Sequence, residues 1–318
     1  MRDVSAKFSS LRYAKAQGKI FFSPETVEKI QNDAIPKGNV LETARLSALA
    51  AAKKTSDLLV FCHLIPLDWI EARAALNPDE ASITVTAEVK SVWKTGVEME
   101  ALTAVSVALL NVYDMLKPVD EHLEIREIRL LRKTGGSGDF LDRFPEKIRA
   151  GVLIISTSTA QGKRKDKAGA VIREFLADYP VDIVAFKIIP DDPQQISDTL
   201  REWVDQQQLQ LILTAGGTGL GPYDQTPEAT ADVVDREIPG IAEAMRHFGQ
   251  QRTQFAMLSR GIAGQRGNTL ILNLPGSSRG VLESLQAVFP GVLHAFVMMA
   301  ARQHDERAAV HQAKPEEE

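Results

Sequence analysis

Asp114 and Lys117, in the segment YDMLK, lie three positions apart and so share one face of a helix. A carboxylate placed there can orient the amine. A lysine that is desolvated or crowded by other cations becomes a usable acid or base near neutral pH. The competing account is an ordinary surface ion pair, worth ~0–1 kcal/mol. TGVEMEALTA (95–104) sets Glu98 and Glu100 at the start of the same helix, where carboxylates also complement the helix dipole. His63 beside Cys62, Lys37 before Gly38, and the glycine-rich KTGGSGDF (133–140) complete the first group. Taken singly, each also fits a bland structural role: a core histidine, loop punctuation, a short glycine turn.

A second group lies further on. LQLILTAGGTGLGPYDQTPEAT (208–229) runs from an apolar strand into Gly216-Gly217-Thr218-Gly219. Glycines at a strand end let backbone amides close on an anion, and Thr214 and Thr218 add hydroxyls. No Gly-Lys-Ser/Thr follows, so this is not a Walker loop, and it lacks the dinucleotide fingerprint. Asp191 and Asp192 follow another apolar strand and Asp224 follows the glycine loop. On two adjacent strand ends such acids could share a hydrated magnesium carried by a nucleoside triphosphate. In NLPGSSRG (273–280), Ser277 or Ser278 can cap a helix and leave amides for a phosphate.

Two different scaffolds must position these residues. The first half predicts a strand at 19–22, a helix from Ser23-Pro24 to about 32, and an Asn39-capped helix to about 54. A strand within 59–74, an alternating strand at 82–92, a long helix at 97–116 and a strand at 122–131 follow. That order, β-α-β-β-α-β with one extra helix, is a ferredoxin-like α+β sandwich. The second half alternates strands (151–156, 182–189, 209–215, 269–273) with helices (168–178, 194–207). It predicts an α/β, doubly wound, mainly parallel sheet with ligands beyond the carboxyl ends of its strands. The expected division is 1–140, a linker at 141–149, a second domain at 150–302 and a flexible tail at 303–318.

Composition agrees with two ordinary globular domains: 318 residues, 44% hydrophobic and 25% charged. A formal charge of -5 argues against a general nucleic-acid binder. Cys62 is the only cysteine, so neither an intramolecular disulfide nor a cysteine-held zinc is available. The opening MRDVSAKFSS has no apolar h-region and no run of about 18 apolar residues follows, so the expectation is a cytoplasmic chain without a membrane partner.

DVSAK (3–7), KGNVLETARLSALAAAKKTSDLL (37–59), CHLIPL (62–67), KTGVEMEALTAVSVALLNVYDMLK (94–117) and KTGGSGD (133–139) together resemble the cyclic pyranopterin monophosphate synthase (MoaC) family across nearly all of 1–140. The resemblance implies conversion of cyclised dihydro-GTP to cyclic pyranopterin monophosphate with release of pyrophosphate, at sites between subunits of a homo-oligomer (trimer or hexamer), without a cofactor. It implies Lys37 and Lys117 as acid/base lysines and Asp114 as the group orienting Lys117. His63, Glu98, Glu100 and Lys133 would line the pocket, with Lys7 and Arg12 toward the triphosphate. The sequence departs from that family's pattern at Asn39, Leu64 and Ser137.

TAGGTG…YDQTPEAT, REIPGIAEAMR (236–246), LSR (258–260) and NLPGSSRG are similar to the MogA/MoaB molybdopterin-binding family over roughly 150–302. Active members of that family adenylylate molybdopterin with ATP and Mg2+. The likeness implies Asp191 and Asp224 for metal and catalysis, Gly216, Gly217, Thr218 and Gly219 for phosphate, and Ser277 and Ser278 at the pterin end. Thr157 stands where a serine-aspartate pair is usual, and Asp166 is kept. A chain with both activities is one expectation. The alternatives are a chain in which one half only binds pterin or drives assembly, and a nucleotide sensor without catalysis.

Overall fold

A computed structural model describes residues 1–140 and 142–300; the expected tail at 303–318 lies outside the described residues. The chain divides into two compact units, Met1–Asp139 and Phe140–Glu318.

The first unit runs β1 (Ser10–Phe21), α1 (Pro24–Gln31), α2 (Val40–Ala52), α3 (Thr55–Leu58), β2 (Trp69–Asn77), β3 (Ser82–Trp93), α4 (Glu98–Leu116) and β4 (Glu124–Thr134). Its sheet is antiparallel in the order β2-β3-β1-β4, the ferredoxin-like arrangement. Asn39 caps α2 as expected, its side chain accepting from the Glu42 amide at 2.9 Å. Ser23 stands at the start of α1, but its hydroxyl does not cap the helix; it donates to Asp120.

β1 is far longer than the expected strand at 19–22. Its inward residues include Ala14, Ala16, Gly18 and Ile20, mostly too small to print a hydrophobic alternation. They are small because α4 lies close: a Cβ at Gly18 would come within 2.7 Å of Leu109 Cδ1. The strand expected within 59–74 begins only at Trp69. Val60, Phe61 and Leu64 are exposed in the loop before it, so an apolar run there is no mark of a strand. Helix α4 is long and apolar enough by composition to cross a membrane, yet Ala101, Ala104, Val105, Ala108 and Val112 on one side belong to this unit's core.

The second unit runs β5 (Ile148–Ile155), α5 (Thr157–Ala160), α6 (Ala168–Leu176), β6 (Val181–Ile189), α7 (Pro193–Arg201), β7 (Leu211–Ala215), α8 (Thr226–Ala231), β8 (Arg236–Glu237), α9 (Pro239–Gln250), β9 (Ala263–Arg266), β10 (Thr269–Leu274), α10 (Ser278–Val288) and α11 (His294–Ala300). The sheet order is β6-β5-β7-β10-β9-β8, parallel through β10 and antiparallel beyond it. Successive residues of β5 enter opposite cores, Val152 and Ile154 one and Leu153 and Ile155 the other, as a sheet covered on both faces requires. The two short strands β8 and β9 carry no periodicity to announce them. β5 lies between β6 and β7, so the strands leading to Asp191 and Asp224 are not adjacent as expected. Their backbones run roughly 10 Å apart, two strand spacings.

Candidate functional site

Lys37, Asp114 and Lys117 converge in the first unit. Lys37 follows Pro36 in the turn that Gly38, at φ 94°, reverses before α2. Asp114 sits in the last turn of α4 and Lys117 is its C-terminal cap. Lys37 Nζ donates to Asp114 Oδ2 at 2.5 Å and to the Asp114 carbonyl at 2.8 Å, while Lys117 Nζ lies 2.7 Å from Asp114 Oδ1. One carboxylate thus clasps two amines. Its pKa falls to about 2 through the bonds from Lys117 and then Lys37, and Lys117 is raised by the same bond to Asp114. Asp114 therefore stays an acceptor at any working pH, and its charge holds Lys117 in the ammonium form.

The remaining residues of this group gather at the opposite end of α4. Glu98 opens the helix, folded back over Gly96 so closely that a Cβ there would fall 1.9 Å from Glu98 Oε2, and Lys133 Nζ lies 3.3 Å from Glu98 Oε1. Arg12 is buried, its Nε and Nη2 donating to the carbonyls of Trp93 (3.1 Å) and Lys94 (3.4 Å), with Glu98 and Asp139 near enough to be felt. It therefore tethers the end of β3, beyond the triphosphate contact expected of it. His63 Nε2 lies 2.9 Å from the Arg2 carbonyl oxygen, and Lys7 is exposed in the N-terminal turn. The Gly135 amide donates to Asp139 at 2.6 Å, so that donor of the glycine-rich loop is already used within the loop.

Glu100 is the unusual member of this second cluster. It is 3% exposed, Oε2 has no hydrogen-bond partner among the described residues, and burial, aided by the Glu98 charge, pushes its pKa up to about 7. A carboxyl so placed can exchange a proton at neutral pH. Because the folded value lies above the unfolded one, the acid form stabilises the fold fully at low pH, and that contribution is lost as pH rises through about 7. Glu100→Gln is expected to melt higher than the wild type at pH 8, with the difference closing by pH 4. Equal melting temperatures across that range would show that the carboxyl is not desolvated.

Along α4, at ~1.5 Å per residue, Glu98 and Asp114 stand roughly 24 Å apart. One copy of the chain therefore brings the expected residues together as two clusters rather than one.

In the second unit the glycine loop follows β7. Gly216, at φ 114°, packs against the end of β5: a Cβ would meet the Ile155 carbonyl oxygen at 2.1 Å. Gly217, at φ 62°, faces the buried Thr226 hydroxyl, which has no hydrogen-bond partner among the described residues. Thr218 is buried, and Gly276 of the NLPGSSRG turn lies against Gly216. Ser277 caps α10 by accepting from the Gly280 amide at 3.1 Å, and Ser278 is the first residue of that helix. Ser277 also lines a cavity of about 170 Å³ with Met245, Phe255, Asn273, Pro275 and Ser259.

Asp191 Oδ2 accepts from the Thr157 amide (2.8 Å) and hydroxyl (2.7 Å), and Asp224 Oδ2 accepts from the Gly221 amide at 2.8 Å. Each carboxylate keeps its other oxygen outside these bonds. Asp192 instead caps α7 through the Gln195 amide. Sequence reasoning missed Arg260. Its backbone amide donates to the Thr218 carbonyl, its Nε to the Gly219 carbonyl at 2.7 Å, and its guanidinium also reaches the Asp224 carbonyl and the Glu228 carboxylate. The LSR motif contained it, but nothing local indicated that it holds a loop forty residues earlier.

The chain thus joins a ferredoxin-like unit carrying a lysine–aspartate–lysine clasp to a doubly wound unit carrying a glycine-rich loop at a strand end. Residues 1–136 match the "MoaC family" model and residues 151–295 match the model described as "Probable molybdopterin binding domain". The chain is 41% identical over 304 residues to the molybdenum cofactor biosynthesis bifunctional protein of Chlorobaculum tepidum, covering 96% of each chain. It is 36% identical over 315 residues to the protein of the same description from Synechococcus elongatus, covering 96% of this chain and 98% of that one. Over 143 residues it is 47% identical to the cyclic pyranopterin monophosphate synthase of Roseiflexus sp. (strain RS-1), covering 45% of this chain and 90% of that one. The chain belongs to the bifunctional molybdenum cofactor biosynthesis proteins, fusing a MoaC-type domain to a MogA/MoaB-type domain.

Proposed function

We propose that the N-terminal half converts cyclised dihydro-GTP to cyclic pyranopterin monophosphate with release of pyrophosphate, and that the C-terminal half transfers the adenylyl group of ATP to the phosphate of molybdopterin. The observation that carries this is the clasp of Lys37 and Lys117 on Asp114. Two ammonium groups offer charge to a polyanionic substrate. Lys117 gives its proton and can then take one back, while Asp114, ionised throughout, keeps both amines aimed.

The residues at the other end of α4 are too far away for one nucleotide-sized substrate to touch both clusters in a single copy. We infer that the site is completed between two copies, with Lys37, Asp114 and Lys117 of one copy facing Arg12, His63, Glu98, Glu100 and Lys133 of the other. Lys117→Ala and Glu98→Gln should then each be inactive alone, yet regain activity when unfolded and refolded together. Random pairing gives half mixed dimers, each with one intact site of two, so recovery should approach about a quarter of wild type. No recovery from a refolded mixture would place each site within one chain.

In the C-terminal half, the amides of Gly217–Gly219 and the Thr218 hydroxyl suit phosphate, whereas the Gly216 amide is already spent on the Leu274 carbonyl at 3.2 Å; the cavity beside Ser277 offers apolar walls to a pterin ring. Magnesium keeps most of its water and needs only one or two carboxylates when phosphates supply the rest, so the outer oxygens of Asp191 and Asp224 fit an ion that arrives with ATP. When bound, that ion draws charge from the phosphates under attack. Arg260 fixes the loop carrying Asp224, and Thr157 fixes Asp191. A second possibility, pterin binding without adenylylation, draws on Thr157 already holding one oxygen of Asp191.

A further inference from the structure

The segment joining α5 to α6 carries Lys163, Arg164, Lys165 and Lys167, all exposed, in a chain whose formal charge is -5. None of the ion pairs among the described residues involves these four. The segment's only acid, Asp166, turns away from them: Oδ1 accepts the Gly169 amide at 2.8 Å and Oδ2 lies 3.6 Å from Arg173 Nη2. Four positive charges are left uncompensated. The segment is anchored at its root by the Gly162 amide on the Thr159 carbonyl and the Lys163 amide on the Ser158 carbonyl, both at 2.9 Å.

Its location gives the charge a use. The segment leaves the carboxyl end of β5, the strand between β6 and β7. At that same end Thr157 bonds Asp191, and the Ile155 carbonyl presses on Gly216. We propose that this basic segment is a polyphosphate-binding arm, taking the β- and γ-phosphates of the nucleotide. The inference rests on the reading that this half handles ATP. In the transfer, a molybdopterin phosphate oxygen bonds to the α-phosphorus and the bond from that phosphorus to the bridging oxygen breaks. The electron pair leaves on pyrophosphate. Cations waiting where that charge develops favour the step. A single phosphate monoester brings only ~1.5–2 negative charges, whereas a triphosphate matches an arm of four cations.

The test is calorimetric binding of inorganic tripolyphosphate with Mg2+ to the full chain, at two salt concentrations. Lys163→Ala/Arg164→Ala/Lys165→Ala should weaken that binding about tenfold or more and flatten its salt dependence. Molybdopterin binding should be unchanged. Lys163→Arg/Lys165→Arg, which keeps the charge, should bind as the wild type does. Equal tripolyphosphate affinity in wild type and triple variant would overturn the arm. So would a loss confined to molybdopterin, which would assign these cations to the pterin phosphate. A chain that binds tripolyphosphate through the arm but forms no adenylylated product would leave the arm standing and overturn the proposed adenylyl transfer alone.

Discussion

Lys117→Ala should lower cyclic pyranopterin monophosphate formation by ~10²–10⁴ while leaving the fold intact, because it removes a positioned proton donor and nothing from the core. The Lys117 side chain is 57% exposed, so its loss opens no cavity. Asp114→Asn should fall in the same range by a different route. An amide oxygen still accepts, but it carries no charge and the NH2 beside it is a donor, so it cannot hold two ammonium groups in place. The pH dependence separates this from a simple loss of charge. Asp114 has its folded pKa depressed to about 2, so the clasp persists above the ordinary carboxylate range and loosens only as pH falls toward about 2. Wild-type turnover should therefore show no ionisation from Asp114 between pH 5 and 9 in steady-state assays. Near-normal rates in both variants would remove the clasp from the chemistry.

Gly216→Ala should abolish adenylyl transfer with no effect on the first half. At φ 114°, an L-residue is strained whatever the surroundings, and here the new methyl would stand 2.1 Å from the Ile155 carbonyl oxygen. Backbone strain of this kind costs of order 1–3 kcal/mol, and the loop relieves it by moving. A displacement of about 1 Å at a phosphate-binding loop can cost ~10²-fold in rate. The expected signature is a collapse of molybdopterin adenylylation with pyranopterin formation unchanged. If Gly216→Ala adenylylates at the wild-type rate, the loop does not hold the reacting phosphate.

Much of the positioning was legible because it is local. The Asn39 cap, the alternation of β3 and the long amphipathic α4 are written in neighbouring residues, and they place Lys37, Asp114 and Lys117. What was hidden depends on distant partners. β1 was mostly invisible because α4 demands small residues where a strand would otherwise show large ones. Ser23 looked like a cap, yet its hydroxyl serves Asp120, ninety-seven positions later. The supposed neighbouring strands of Asp191 and Asp224 are separated by β5, since sheet order is a topological property and not a sequential one. The glycine loop was plain in the sequence, but Arg260, which ties its carbonyls, was not. The strand expected within 59–74 is present from Trp69 onward, but Val60, Phe61 and Leu64 ahead of it are exposed in a loop, so hydrophobicity did not mark where it starts.

The central claim, two independent activities carried by one polypeptide, is tested most directly by assaying both reactions on the same three preparations: wild type, Lys117→Ala and Gly216→Ala. The wild type should form cyclic pyranopterin monophosphate from cyclised dihydro-GTP and, separately, adenylylated molybdopterin from molybdopterin and Mg-ATP. Lys117→Ala should lose only the first product and Gly216→Ala only the second. A wild-type preparation that yields one product alone, or a single variant that loses both, would contradict it.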